Sequence, residues 1–241
     1  MGLSWAYAGL LSHLDADVPV YGLQARRLTA PGGLPGSVEE MAEDYAGEIR
    51  RLCPDGPYRL LGWSFGGTVA HAVATRLQQQ GHTVELLAVL DAYPVTGARP
   101  DAEVDEQRIV ADYLAQLGSP VAPERLEGDA WLPEFLEFVR RTDGPARDFD
   151  AGRILAMKDV FLNNARLTRR FTPGVFTGDM VFFASARPGS EQAAERVGLW
   201  HPHVTGDLDL HLIDCAHEEM TDPAALTRIG PVLAARLGAG T

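Results

Sequence analysis

The segment Gly62-Trp63-Ser64-Phe65-Gly66-Gly67 contains the residues of this chain best suited to covalent chemistry. It follows a β-type run at 58–61 and precedes a pattern in which apolar residues recur at every fourth position, as on one face of a helix. A Gly-x-Ser-x-Gly sequence between a strand and a helix predicts a nucleophile elbow, a tight turn that lifts the serine hydroxyl clear of the sheet edge. We expect side chains at Gly62 and Gly66 to be excluded, because strand and helix approach each other closely there. Ser64 is therefore the candidate nucleophile.

A serine hydroxyl is a weak nucleophile, so it needs a general base within hydrogen-bond reach, and that base needs a carboxylate to fix its tautomer. Of the seven histidines, His217 lies in a short loop, 214–220, between a β-type run and the last predicted helix. The other six lie in predicted helices, in a strand or beside a proline, where a histidine is more often a packing or solvent-facing residue. We predict that His217 is the base.

The carboxylate has three candidates in the sequence. Asp91 directly follows a buried apolar strand, so it should emerge at the carboxyl edge of the sheet, beside the strand that leads to Ser64. Glu191 follows a later strand, and Asp214 is a neighbour of His217 within one short loop. Because Asp91 has the most constrained geometry, we prefer it. The order Ser, Asp, His, with the histidine in the last strand-to-helix loop, is that of α/β-hydrolases.

The elements that must position these side chains alternate between strands and helices, which predicts a mostly parallel sheet flanked by helices, an α/β fold. Strands are expected at 18–21, 58–61, 84–90, 180–184 and 208–213. Helices outside the insertion described next are expected at 3–14, 37–52, 65–80 and 223–237. The second of these helices should begin with a capping box formed by Ser37 and Glu40.

Residues 96–172 interrupt this alternation. Turns rich in proline and glycine separate helical segments at 109–117, 135–141 and 154–167, and no strand pattern is present. Such an insertion is too long for an ordinary connection, so it is either a lid or a small helical subdomain. We interpret the chain as one domain, 1–241, with a helical lid at 96–172. Four aromatic residues of the insertion either line a pocket or pack its own core: Trp131, Phe135, Phe138 and Phe161.

The composition excludes several classes of protein. The chain has 241 residues and 46% apolar content, enough for a substantial core. The formal net charge of −12 makes nucleic acids and acidic membrane surfaces poor partners. No run is long enough to span a membrane, and the start lacks the layout of a secretion signal, so we expect a soluble cytoplasmic protein. Cys53 and Cys215 are far apart and lack metal-ligand spacing, which favours two reduced thiols and no metal site.

Over nearly its whole length, the chain resembles the type I thioesterase domains that end non-ribosomal peptide synthetases. The matching segments are Gly2-Leu3-Ser4-Trp5 with Tyr7-Ala8-Gly9-Leu10-Leu11, the elbow with its double glycine, Leu90-Asp91-Ala92-Tyr93-Pro94, Phe171-Thr172-Pro173-Gly174 with Gly178-Asp179, and Cys215-Ala216-His217. In that family the acid follows the strand after the elbow helix, which supports Asp91 over Glu191. The related stand-alone editing thioesterases usually carry Gly-His-Ser-Met-Gly, so Trp63 and Phe65 argue against them.

The resemblance implies an α/β-hydrolase fold and a reaction in two halves. Ser64, deprotonated by His217, would attack the thioester that joins a peptide to the phosphopantetheine arm of a peptidyl carrier domain. The acyl-enzyme ester would then be released by hydrolysis or macrocyclisation. The backbone N–H of Phe65 should stabilise the oxyanion. The arm belongs to the carrier, expected to be fused upstream, so no cofactor is needed. Two other functions share these residues: a general carboxylesterase and a non-catalytic binding module with a hydrolase fold.

One departure from the family pattern concerns the start of the sequence. The family has a strand and a proline-containing loop before the segment that matches Gly2-Leu3-Ser4-Trp5, and they supply a second oxyanion donor and a sheet position between the strands at 18–21 and 58–61. Leaving that interior position empty would strand backbone groups without partners. We therefore expect a chain trimmed from a longer one, or another element in that place, and we do not expect these two strands to pair directly.

Overall fold

The computed structural model of the chain describes residues 2–29, 32–95, 105–121, 128–142, 147–187 and 190–238. The chain divides into two compact units. The first, called here the α/β unit, comprises Ser4–Leu23, Pro35–Ala98 and Arg170–Thr241. The second, the helical unit, comprises Met1–Leu3, Gln24–Leu34 and Arg99–Arg169. The helical unit takes in most of the predicted insertion at 96–172, of which residues 96–104, 122–127 and 143–146 lie outside the described residues.

A four-stranded parallel sheet forms the centre of the α/β unit. Its strands lie side by side in chain order: β1 (Tyr58–Trp63), β2 (Val84–Leu90), β3 (Met180–Ser185) and β4 (Leu208–Ile213). β3 and most of β2 are apolar and buried, as expected of interior parallel strands covered on both faces. The register places Leu90 beside both Trp63 and Phe183, so β1, β2 and β3 end at one edge of the sheet.

Seven α-helices occur among the described residues. The α/β unit has α1 (Val38–Leu52), α2 (Phe65–Gln79), α6 (Ser190–Val197) and α7 (Pro223–Gly238), and the helical unit has α3 (Glu106–Gln116), α4 (Leu132–Arg141) and nearly all of α5 (Ala151–Arg170). The predicted start of α1 is confirmed, since the Glu40 N–H donates to Ser37 Oγ at 3.0 Å. The Glu40 carboxylate accepts from the N–H of Gly36, one residue earlier than in the standard capping box.

One apolar core of the α/β unit lies between the sheet and α7. Ala88 and Leu90 of β2 and Val181 and Phe183 of β3 belong to one buried cluster with residues of α7 such as Ile229, which is fully buried. This core holds β2 and β3, and therefore their carboxyl ends, in fixed positions.

Of two predictions for the first 21 residues, the strand is wrong and the helix is right only in part. Residues 18–21 form no strand, and Val20 and Tyr21 are exposed. A strand needs a neighbouring backbone for its hydrogen bonds, and β1 is the edge of the described sheet, with no strand beside it on that side. The two segments are not paired directly. The helix predicted at 3–14 is a 3₁₀ helix, Trp5–His13, in which Leu10 alone is buried.

The helical unit has an aromatic core of its own. Trp131 and Phe135 are fully buried in one cluster with Tyr113, and Phe138 and Phe161 pack against the same cluster. The four aromatic residues of the insertion therefore pack the core of this unit, which was one of their two interpretations. The interpretation of 96–172 as a lid stays a prediction.

Candidate active site

Ser64 occupies a sharp turn between β1 and α2. Its backbone has φ 56° and ψ −132°, a conformation that residues with a side chain seldom adopt. Two backbone hydrogen bonds hold the turn: the Ser64 N–H donates to the carbonyl of Leu90 in β2 at 2.9 Å, and the Ser64 carbonyl accepts from the Gly67 N–H at 2.8 Å. Helix α2 has no side-chain cap, so the Ser64 hydroxyl is left for other partners.

The glycines around Ser64 have different steric reasons. A Cβ atom at Gly62 would lie 2.0 Å from the Gly66 carbonyl oxygen, so only glycine fits there, as predicted. A Cβ at Gly66 would meet only the Tyr7 hydroxyl, at 3.0 Å, and not the strand. The second glycine that lets helix and strand approach is Gly67, where a Cβ would lie 3.0 Å from the Gly62 carbonyl oxygen of β1. The prediction was therefore right for Gly62 and assigned the wrong contact to Gly66.

His217 begins a short 3₁₀ helix, His217–Glu219, after β4. The Glu219 carboxylate accepts from the Ala216 N–H at 2.9 Å and from Arg187 at 2.6 Å. Arg187 also donates to the Asp214 carbonyl at 3.1 Å. These contacts tie both ends of the loop to the residues that follow β3, and so restrict where the His217 ring can lie.

Trp63, the residue before Ser64, also holds this loop. Its indole Nε1–H donates to the backbone carbonyl of His217 at 3.1 Å, and the two ring centroids are 5.6 Å apart. The Trp63 backbone N–H, on the free side of β1, donates to the Tyr7 hydroxyl at 3.0 Å. The sequence offered no role for Trp63 beyond its place in the motif, because its partner lies 154 residues away.

Ser64, His217 and Asp91 lie in one chain of hydrogen bonds. His217 Nε2 is 3.0 Å from Ser64 Oγ, and His217 Nδ1 is 2.7 Å from Asp91 Oδ2. Because an ionised carboxylate can only accept, the proton on the neutral ring lies on Nδ1, and Nε2 is free to accept the serine proton. The arrangement can deprotonate a hydroxyl and stabilise the imidazolium that results.

Asp91 lies one residue beyond β2, buried, with φ 45°. Its Oδ1 accepts from the Tyr93 hydroxyl at 2.7 Å and from the Ser185 N–H at 3.1 Å. Its Oδ2 accepts from the Ser185 hydroxyl at 2.8 Å as well as from His217. Burial raises the pKa of Asp91, but the hydrogen bonds from His217, Tyr93 and Ser185 together lower that pKa to about 2, so the carboxylate is charged at neutral pH.

Sequence reasoning missed Tyr93 and Ser185. Tyr93 follows Asp91 by two residues, and Ser185 ends the strand next to β2, so their positions were a usable signal. The sequence did not give the directions of these side chains, because the directions depend on how β2 and β3 pair. Burial, followed by the neighbouring Asp91, raises the pKa of Tyr93, which therefore keeps its proton and donates it.

Neither Asp214 nor Cys215 takes part in this chain of hydrogen bonds. Asp214 is exposed and paired with Arg187. Glu191 lies in α6, and its side chain lies outside the described residues. Cys215 is buried, and burial first of all raises its pKa to about 11, so it is a thiol rather than a reactive thiolate. Phe65 is the first residue of α2, where helical N–H groups have no intrahelical acceptor.

The described residues also bear on the cysteines, on metal ions and on membranes. Both cysteines are free. Among the described residues, no group of three or more His, Cys, Asp or Glu side chains is arranged to hold a metal ion. Within the same ranges, no helix has the length and apolar character required to cross a membrane.

Comparison with known protein families identifies the family to which the chain belongs. The model of a family described as "Thioesterase domain" matches residues 1–232. The chain belongs to this thioesterase domain family, and it is accordingly a hydrolase. It is also similar to a dimodular nonribosomal peptide synthase of Bacillus subtilis (strain 168), with 37% identity over 238 residues. That match covers 98% of this chain but only 10% of the relative, so the chain spans about a tenth of its length.

Solved structures show the same fold. The NocB thioesterase domain, in a covalent complex with a fluorophosphonate nocardicin G analogue, superimposes with a TM-score of 0.71 at 24% identity, covering 98% of this chain and 90% of that one. Holo-AB3403, a four-domain nonribosomal peptide synthetase bound to AMP and glycine, gives a TM-score of 0.81 at 21% identity, covering 96% and 18%. The fold is the α/β-hydrolase fold, and the resemblance to thioesterase domains of non-ribosomal peptide synthetases is confirmed.

Proposed function

We propose that this chain is a serine thioesterase that releases a peptide from the phosphopantetheine thioester of a peptidyl carrier domain. The proposed triad is Ser64 as nucleophile, His217 as general base and Asp91 as the carboxylate that orients it. The observation that carries the proposal is the pair of contacts at the His217 ring, 3.0 Å to Ser64 Oγ and 2.7 Å to Asp91 Oδ2, in a member of the thioesterase domain family.

In the first half of the reaction, Ser64 Oγ attacks the thioester carbonyl carbon while its proton passes to His217 Nε2. The negative charge that develops on the carbonyl oxygen is stabilised by the Phe65 N–H, which lies next to the nucleophile at the start of α2. Collapse of the tetrahedral intermediate breaks the carbon–sulfur bond. The departing sulfur takes the proton from His217, and the peptide is left as an ester of Ser64.

In the second half, His217 accepts a proton from the incoming nucleophile, which attacks the ester carbonyl. Water gives the free peptide acid, and an amine or hydroxyl of the peptide itself gives a macrocycle. Ser64 leaves with the proton held by His217, so the triad returns to its initial state. No group outside the chain and its substrate takes part, and for this reason the proposed reaction needs no cofactor.

The carrier domain is proposed as the partner because the chain resembles thioesterase domains of much longer synthetases. The relative from Bacillus subtilis is a dimodular nonribosomal peptide synthase, of which this chain matches 10%. The net charge of −12 opposes binding to nucleic acids.

The helical insertion at 96–172 is proposed to be a lid that controls what enters the site. The support is its own buried core around Trp131 and Phe135, since an insertion with a separate core can move as one piece. How well such a lid excludes water would decide between hydrolysis and macrocyclisation.

The test uses a peptide thioester loaded on a carrier domain and, in parallel, a nitrophenyl ester. We expect turnover of the carrier-bound thioester, covalent labelling of Ser64 by a fluorophosphonate, and loss of both in Ser64→Ala. Ser12→Ala is the matched control, because Ser12 is an exposed serine whose hydroxyl donates to the Gly9 carbonyl in its own 3₁₀ helix. Labelling that survives Ser64→Ala would refute the mechanism. Turnover of the nitrophenyl ester without the thioester would instead indicate a carboxylesterase, and a folded protein without either activity would indicate a binding module.

A further inference from the structure

The Asp91 carboxylate is held by more donors than a triad requires. Besides His217, it accepts hydrogen bonds from the Tyr93 hydroxyl, the Ser185 hydroxyl and the Ser185 backbone N–H. A carboxylate has about four lone-pair sites, so each of them is occupied here. Three of the four donors come from outside the proposed triad, and two of those are side-chain hydroxyls.

We propose that Tyr93 and Ser185 are positioning residues, which fix the Asp91 carboxylate so that Oδ2 faces His217 and Ser64 is thereby activated. This inference rests on the proposed function only in that it takes Ser64, His217 and Asp91 as a working triad. Neither hydroxyl touches the substrate in this scheme. Both act through Asp91.

The two carboxylate oxygens have separate surroundings, which is why rotation is prevented. Oδ1 is held by Tyr93 at 2.7 Å and by the Ser185 N–H at 3.1 Å, while Oδ2 is held by the Ser185 hydroxyl at 2.8 Å and by His217 at 2.7 Å. Turning the carboxylate toward another direction would break at least two of these bonds. Tyr93 and Ser185 reach Asp91 from two places, the loop after β2 and the end of β3, so their hydrogen bonds also join neighbouring strand ends.

Tyr93 is itself held in place. Its ring centroid lies 5.2 Å from that of Phe182, and the Arg196 guanidinium lies over the ring at 3.8 Å. These contacts fix the direction of the hydroxyl, and its raised pKa keeps it a donor. The alternative is that Tyr93 and Ser185 serve packing alone. Tyr93→Phe separates the two, because it keeps the ring and removes only the donor.

The experiment is a double-mutant cycle that measures the second-order rate of fluorophosphonate labelling at Ser64. We expect Tyr93→Phe and Ser185→Ala each to slow labelling about tenfold, the size of effect expected when a hydrogen bond to a charged group is removed. In an Asp91→Ala background, each should change the residual rate by less than about twofold, because the group through which they act is gone. In thioester turnover, the loss should fall on kcat and leave KM unchanged.

Tyr58→Phe is the matched control. Tyr58 is buried in the same unit, and its hydroxyl donates to the Cys53 carbonyl at 2.7 Å, far along the chain from Asp91. This variant should leave labelling unchanged. A second readout is the proton NMR signal of His217 Nδ1–H, which should move in Tyr93→Phe and Ser185→Ala and stay in place in Tyr58→Phe.

Equal losses in the wild-type and Asp91→Ala backgrounds, with an unmoved Nδ1–H signal, would overturn the inference. Wild-type labelling rates in both single variants would overturn it too. Should one single variant fail to fold, the other completes the same cycle. Failure of the proposed function has a different outcome: carrier-bound thioesters would not turn over, while labelling and its coupling to Asp91 would persist.

Discussion

Asp91 and His71 are both buried in the α/β unit, yet at neutral pH Asp91 is charged and His71 is neutral. Burial disfavours the charged form of each. For Asp91, hydrogen-bond donors overcome burial and bring the pKa down to about 2. For His71, burial lowers the pKa to about 4, and the hydrogen bond from Nε2 to the His203 carbonyl, at 2.9 Å, does not compensate.

The difference lies in the number of partners. Every lone pair of Asp91 is directed at a donor, whereas His71 Nδ1 has no partner among the described residues and the ring packs against Trp200, with centroids 4.7 Å apart. Depth of burial therefore does not predict which buried group is charged. The supply of complementary polar atoms does, and it separates a proposed catalytic carboxylate from a structural histidine.

The largest expected effect is a loss of activity, and it should come from changing Asp91, the charged member of this pair. Asp91→Asn keeps the shape of the side chain, but its amide cannot hold the His217 proton on Nδ1. We expect fluorophosphonate labelling of Ser64 to fall about 10⁴-fold, the loss typical of this exchange in a serine triad. His71→Gln, which keeps a donor toward the His203 carbonyl, should label at the wild-type rate. Equal rates in the two variants would remove the distinction drawn between the two groups.

The next effect concerns stability and His71. Its folded pKa of about 4 lies below its ordinary value of 6.5, so the unfolded chain binds more protons between these pH values. The contribution of neutral His71 to the free energy of unfolding is complete above pH 6.5. It is lost as the pH falls toward 4, and the loss is on the order of 3 kcal/mol. Urea unfolding at a series of pH values measures it. His71→Gln should flatten the dependence, whereas His201→Gln, at an exposed histidine, should follow the wild type.

A smaller stability effect is expected from Asp91. Its folded pKa of about 2 lies below its ordinary value of 3.8, so its contribution is present above pH 3.8 and lost as the pH falls through about 2. The expected loss is on the order of 2 kcal/mol. Unfolding is best measured in the His71→Gln background, where the histidine no longer titrates. If adding Asp91→Asn to His71→Gln leaves the slope of the unfolding free energy against pH unchanged, the donors do not hold the carboxylate as described.

The smallest effect should come from a hydrogen bond between neutral groups. Trp63→Phe removes the Nε1–H that donates to the His217 carbonyl, and such a bond contributes about 1 kcal/mol. We expect labelling of Ser64 to slow about fivefold if the whole of that energy orients the loop. Trp63→Phe should thus fall between His71→Gln and Asp91→Asn. A loss as large as that of Asp91→Asn would show that orienting the loop matters as much as the charge.

Much of the fold followed from local patterns in the sequence. Continuous apolar runs predicted β2 and β3, and the glycine-rich turn predicted the junction of β1 and α2, because both signals arise within a few residues. The sequence also allowed us to predict that Ser64, Asp91 and His217 lie close together, because parallel strands carry the residues that follow them to one edge of the sheet. The register of β1, β2 and β3 meets this condition at Trp63, Leu90 and Phe183.

What the sequence did not provide depends on distant neighbours. Residues 18–21 have a β-type composition, but no strand lies beside them in the described sheet, and Pro19 has no N–H to contribute to one. The roles of Tyr93, Ser185 and Trp63 arise from side-chain directions set by packing between strands. The contact assigned to Gly66 belongs to Gly67, because a motif gives spacing and not the direction of approach.

The backbone angles at Ser64 carry a consequence for the history of such a domain. A residue with a side chain in this conformation costs on the order of 1–3 kcal/mol of stability, a cost that glycine would not incur. Selection for thermal robustness alone should therefore replace Ser64 with glycine. Where a lineage has stopped using its chemistry, position 64 is the place to look for the first trace of that loss.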